Sequence, residues 1–143
     1  MDRIISREEC RQRLTDSGLK ATHQRLIIFE ALVNTTAHPT AEKMFEWLRA
    51  ANPTLSLGTV YRTLETFVEV GLAQKVSSPS GVMMFDGNVD DHHHLICNET
   101  QQIFDLHDPK LTALVHGYLR EHGPADFEIQ NFQLLIHGAQ RNA

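Results

Sequence analysis

Three consecutive histidines, His92, His93 and His94, lie in the run FDGNVDDHHHLICNETQQIFDL from Phe85 to Leu106, together with four aspartates and one cysteine. Read as a hairpin, His92 to Ile96 forms one strand, Asn98 to Gln101 the turn and Gln102 to Leu106 the return strand, so that His94 faces Asp105. Side chains two apart share a strand face, which brings His92 to the same side and turns His93 away. Two imidazoles and a carboxylate on one face form the nitrogen and oxygen set that first-row divalent metals prefer, and Asp86 just upstream would close the shell. A histidine tract is otherwise a compositional signal only, compatible with a solvated strand end. The hairpin register argues against that plainer reading. So does the acidic setting of Asp86, Asp90, Asp91 and Asp105, which repel one another unless a cation neutralises them.

The elements that would position this stretch follow from caps and periodicity. Ser6 is expected to cap a helix to about Ser17, with Glu8 and Glu9 in its first turn, Gly18 as its stop, and Arg3, Arg7, Arg11 and Arg13 as a basic side. Thr22 would cap a second helix, Gln24 to Val33, too apolar for a single exposed stripe and so central to a core. His38 and Pro39 break the chain before a third helix, capped by Thr40, running to about Ala51 with Met44, Phe45 and Leu48 inward; Pro53 marks its end.

Ser56 would cap a fourth helix that Gly71 ends, with Val60, Leu64, Phe67 and Val68 as its buried stripe. Its other face carries Thr59, Arg62, Thr63 and Thr66, with Tyr61 at the edge: short polar groups and one fork donor, suited to a major groove. A hairpin of Leu72 to Val76 and Val82 to Asp86, turning through Pro79 and Gly81, completes a winged helix-turn-helix order. Gly87 and Asn88 then mark a boundary, giving residues 1–86 as a DNA-binding domain and 87–143 as a dimerisation and metal-sensing domain. In the second, Pro109 opens a helix to about His122 with Leu111, Leu114, Val115 and Leu119 inward, and Phe127 to Ile136 is the final strand. The expected class is α+β. So small a three-stranded layer with one helix leaves apolar surface for a symmetric partner.

The composition sets limits on function. Of 143 residues, 41% are hydrophobic and 22% charged, and the apolar run Leu26 to Val33 is interrupted by Glu30, so a globular, cytoplasmic protein without a membrane span is expected. The net charge of −5 argues against indiscriminate coating of nucleic acid. Residues 1–85 hold ten Lys and Arg against nine Asp and Glu, whereas residues 86–143 hold three against nine, so an anionic partner belongs with the first half. Cys10 and Cys97 are too few for a disulfide framework.

GLKATHQR at 18–25, HPTAEKMF at 38–45, GTVYRTLETFVEVGL at 58–72 and FDGNVDDHHHLIC at 85–97 together resemble the ferric uptake regulator family of dimeric bacterial repressors, in the right order along nearly the whole chain. The resemblance implies a winged helix that reads an AT-rich palindrome in double-stranded DNA, a C-terminal domain that forms a homodimer, and one regulatory divalent metal per subunit between them. It implies His38, Asp86, His92, His94 and Asp105 as ligands, which adds His38 to the set read from the residues. Lys20 and Arg25 of the first motif join Thr59, Tyr61, Arg62, Thr63 and Thr66 as expected DNA contacts. A metal held by both domains would couple its binding to that of the operator, and a hundredfold gain needs about 2.7 kcal/mol of coupling.

Departures from the family pattern are informative too. Many members hold a structural zinc with two CxxC pairs; here Cys97 alone remains, Thr100 stands at its partner position, and no four-cysteine zinc is expected. A further site of iron-responsive members uses a glutamate and a histidine where this chain places Thr112 and Phe132. Asp105, rather than glutamate, resembles the peroxide-sensing branch, in which iron-catalysed oxidation of ligand histidines, by position His38 and His92, releases the repressor. The cellular metal would be iron or manganese, with zinc competing in vitro. The alternatives are an iron-, manganese- or zinc-responsive repressor without peroxide chemistry and, more distantly, a non-haem iron enzyme built on two histidines and a carboxylate; the reading adopted is not an enzyme. Cys97 is expected to be an inert remnant.

Overall fold

In the computed structural model, which describes residues 4–88 and 92–141, capping side chains start every helix of the first half. Ser6 accepts from the Glu9 amide at the start of α1 (Arg7–Asp16), and Ser17 closes that helix before Gly18, whose φ of 87° few other residues tolerate. Thr22 does the same for α2 (His23–Val33), Thr40 for α3 (Ala41–Leu48) and Ser56 for α4 (Leu57–Glu69). The helix α3 is shorter than expected and stops at Leu48, because the Asn52 side chain takes the Leu48 carbonyl at 2.9 Å and diverts the chain. Met44 is fully buried, whereas Phe45 and Leu48 are half-buried.

α2 buries Leu26, Ile27, Ile28, Phe29 and Leu32, so its apolar run does make it the centre of the first core. Phe29 meets Phe67 of α4 edge to face at 5.3 Å, and Cys10 and Leu14 of α1 and Met44 of α3 pack around them. The hairpin of β1 (Gln74–Ser77) and β2 (Met83–Asp86) follows, antiparallel, with Gln74 opposite Asp86. It begins later than Leu72 because the Leu72 and Ala73 amides both bond the Phe67 carbonyl and hold that stretch in the helix's closing turn. Helices and hairpin together form a winged helix-turn-helix.

The chain divides into two compact units, Met1–Val89 and Asp90–Ala143, and the division expected after residue 86 falls near the end of the first. Arg3, Asp90 and Asp91, which entered the expectations above, lie outside the described residues.

The second unit is a three-stranded sheet and a helix. β3 (His93–Cys97) pairs antiparallel with β4 (Ile103–Leu106) and parallel with β5 (Leu135–Gly138), in the order β4-β3-β5. α5 (Pro109–His122) is capped by Asp108, which accepts from the Leu111 amide. Two expectations are corrected here. The last strand covers only Leu135–Gly138 instead of Phe127 to Ile136: its neighbour β3 begins at His93, which leaves the chain before Leu134 with no strand to pair, and Phe127 is 68% exposed. Of Leu111, Leu114, Val115 and Leu119, expected inward, none is fully buried: Leu111, Val115 and Leu119 are half-buried, and Leu114 points out, 72% exposed. Thr112 and His116, one turn apart, share that half-buried face and contact His93 and Phe132, and Leu114 lies about 200° round the helix from Thr112.

Candidate metal centre and nucleic-acid face

In the second unit, the hairpin sets His94 opposite Asp105, as its register predicts. The Nε2 atoms of His92 and His94 are 3.1 Å apart, and each lies 3.3 Å from Oδ1 of Asp105. Both imidazoles are buried, while the Asp105 side chain is 35% exposed and forms the open edge of the cluster. Two nitrogens each about 2.1 Å from a cation, at roughly tetrahedral angles, stand about 3.4 Å apart. These donors therefore already have the spacing and chemistry of a first-row divalent site.

In the first unit, His38 Nε2 lies 3.3 Å from Oδ2 of Asp86, and both side chains are at least nine-tenths buried. The Phe85 amide bonds the Pro39 carbonyl and so ties β2 to the loop that carries His38. The other oxygen of Asp86 accepts from the Asn88 amide at 2.9 Å. Between them Gly87 lies against the end of α2, where a Cβ would sit 3.1 Å from the Leu32 carbonyl oxygen; a side chain there would push Asp86 out of place.

His93, turned away from these donors, is committed elsewhere. Its Nδ1 accepts from the Leu134 amide at 3.0 Å, so Nε2 carries the proton and donates to Thr112 Oγ1 at 2.8 Å. The Thr112 hydroxyl in turn donates to the Asp108 carbonyl. Phe132 stacks on the His93 ring at 5.3 Å. His93 is thus a structural pin between β3, α5 and the entry to β5. Its partners are 19 and 41 residues distant, so no local pattern pointed to this role.

The face of α4 is more selective than its sequence suggests. Thr59, Tyr61, Arg62 and Thr66 are exposed or half-buried, but Thr63 is only 9% exposed, because it shares the inward i, i+3, i+4, i+7 stripe with Val60, Leu64 and Phe67. It forms part of the lining of a 320 Å³ groove that Thr22 and Arg25 of the α2 start share with Thr59, Arg62 and Thr66. Two guanidinium groups and several hydroxyls in one groove suit phosphate and base edges. Arg25 also donates to the Lys20 carbonyl, which brings those two residues together. The basic side expected of α1 is by contrast largely neutralised, since Arg7 pairs with Glu30, Arg11 with Glu8 and Arg13 with Glu9.

Residues 16–137 match the profile of the ferric uptake regulator family. The chain belongs to that family. The peroxide operon regulator of Bacillus subtilis (strain 168) is 34% identical to it over 131 residues, which cover 92% of this chain and 88% of that protein. The peroxide-responsive repressor PerR of Staphylococcus epidermidis is 30% identical over 131 residues, with 92% and 85% covered. Among solved structures, the ferric uptake regulator from Pseudomonas aeruginosa with manganese superposes with a TM-score of 0.77 at 26% identity, covering 93% of this chain and 98% of that one.

Against this family background, the retained Cys97 and the residues Thr100, Thr112 and Phe132 acquire local roles. Thr112 and Phe132 close around His93 with hydrogen bonds and stacking. Cys97 and Cys10 are both free thiols, one in each unit. Cys97 departs from an inert remnant in one respect: hydrogen bonds from the Thr100 hydroxyl and then from the Gln140 amide lower its pKa to about 7. No helix of the described residues is long and apolar enough to cross a membrane.

Proposed function

We propose that this member of the ferric uptake regulator family is a metal-dependent, homodimeric, cytoplasmic transcriptional repressor that binds an AT-rich palindrome in double-stranded DNA and senses peroxide. The observation that carries the reading is the convergence of His92, His94 and Asp105 within 3.3 Å on one face of the β3–β4 hairpin. His38 and Asp86, paired in the first unit, complete a five-ligand set by family resemblance. One ion per subunit, held by ligands from both units, would make DNA affinity depend on the metal; iron or manganese serves in the cell and zinc competes in vitro. No four-cysteine zinc is part of this reading.

Within this proposal the chain's own residues divide the work. His38, Asp86, His92 and His94 supply buried donors sheltered from bulk water. His93 cannot compete for the ion, because both its nitrogens are engaged. The partly exposed Asp105 leaves the approach by which a small oxidant reaches the cluster. Ferrous iron bound there would supply the electron that cleaves peroxide and leads to oxidation of a ligand histidine, with His38 and His92 as the targets. The similarity to relatives named as peroxide-responsive, and Asp105 itself, support this branch over a plain metal sensor.

The test is to load the protein anaerobically with ferrous iron, add stoichiometric peroxide, and map added oxygen by peptide mass spectrometry beside a manganese-loaded control. Oxygen on His38 or His92 with iron alone, accompanied by loss of DNA binding, is the expected result. Unmodified histidines with metal-dependent DNA binding intact would instead make the protein an iron-, manganese- or zinc-responsive repressor.

A further inference from the structure

The Tyr61 hydroxyl on the outer face of α4 donates to Oε1 of Glu42, in the first turn of α3. Both side chains are exposed, and 19 residues separate them. The contact is felt by both groups: the phenol holds the Glu42 carboxyl below its usual range, and the carboxylate pushes the Tyr61 phenol above its own.

A phenol has one hydrogen to give and lone pairs to receive with. With its hydrogen committed to Glu42, the Tyr61 oxygen can meet a further partner only as an acceptor. In the major groove the amino groups of adenine and cytosine donate, whereas guanine O6 and N7, thymine O4 and the phosphate oxygens only accept. Arg62, next in sequence, is a pure donor whose Nη2 is steadied by Thr59 Oγ1 at 3.3 Å. Adjacent residues of the helix thus present opposite hydrogen-bonding characters.

We infer that Glu42 is a specificity-determining residue, which makes Tyr61 an acceptor that selects the amino edge of adenine or cytosine and is refused by phosphates and carbonyl edges. The inference rests on the reading of α4 as the helix that enters the major groove. Glu42 acts through Tyr61 and is a positioning residue.

The test uses the manganese-loaded full-length protein and a library of randomised DNA duplexes, from which bound sequences are enriched and counted. The wild type enriches a palindrome; if it enriches no sequence, the DNA reading and this inference fall together. Glu42→Ala frees the phenol's hydrogen, and the preference at one position of each half-site relaxes about tenfold while binding to random duplex strengthens. Glu42→Gln keeps an oxygen that accepts the same hydrogen and retains the wild-type preference. Tyr61→Phe loses the preference at the same position and makes Glu42→Ala silent. If Glu42→Gln instead behaves like Glu42→Ala, the carboxylate acts only by repelling DNA; if the Glu42→Ala effect persists in Tyr61→Phe, the phenol is not its route. Either result overturns the inference. Ultraviolet titration supplies a readout free of DNA: with Tyr61 and Tyr118 the only tyrosines, one phenol must ionise at lower pH in Glu42→Ala than in wild type.

Discussion

Each of the two units has its own kind of interior. Among its described residues, the first buries fifteen apolar side chains in one cluster that includes Phe29 and Phe67. Among the described residues of the second, the buried apolar side chains are Ile96, Cys97 and Ile103, and they share the interior with His92, His93 and His94. Buried imidazoles stabilise a fold only when their nitrogens have partners. His93 finds its partners in the Leu134 amide and Thr112, whereas His92 and His94 converge on Asp105. The first unit thus draws its stability from the hydrophobic effect, and the second, with Leu114, Tyr118 and Phe127 each more than 60% exposed, would gain stability from the metal and the second copy proposed above.

Phe67→Ala gives the largest effect that would break this comparison. Removing a fully buried ring from the first core costs about 3–5 kcal/mol, and urea unfolding should place nearly all of that loss in the transition reported by the first unit. A cost below about 1 kcal/mol would mean that the apolar cluster is not what holds this unit. Manganese at a hundredfold excess over its dissociation constant should contribute about 2.7 kcal/mol of stabilisation, read by calorimetry. In the His92→Ala, His94→Ala double variant that gain should vanish. Retention of the gain would show the stabilising ion to be held somewhere other than the histidine strand.

What was legible in advance divides along the same line. Ser6, Thr22, Thr40 and Ser56 cap their helices through bonds three residues long, so the local sequence suffices to find them. The facing of His94 and Asp105 needed only a hairpin and its period of two. The errors arose where a distant contact outweighed a local pattern. Thr63 turned inward with the apolar stripe of α4, Leu114 turned outward because Thr112 and His116 set the facing of α5, and β5 was cut to the length that β3 could pair. His38 could not be found from any local pattern, and entered through family resemblance.

The smallest and sharpest contrast is between the two cysteines. Burial, followed by the nearby Glu30, pushes the Cys10 thiol above its usual pKa, whereas the Thr100 hydroxyl and the Gln140 amide bring Cys97 down to about 7. For Cys10 the folded pKa lies above the unfolded one, so its contribution is complete below the unfolded pKa and is lost as pH rises through the folded value. For Cys97 the order is reversed: its contribution is complete above the unfolded pKa, near 9, and disappears as pH falls through about 7. Between pH 7 and 9 the second unit should therefore gain stability with rising pH, and Cys97→Ser should remove that slope. Thiolate absorbance at 240 nm would follow the two groups directly, with one midpoint near 7 that is absent in Cys97→Ser and another above the ordinary thiol range that is absent in Cys10→Ser. A shared midpoint for both thiols would mean that Thr100, in the turn after β3, and Gln140, just beyond β5, do not stabilise the Cys97 thiolate.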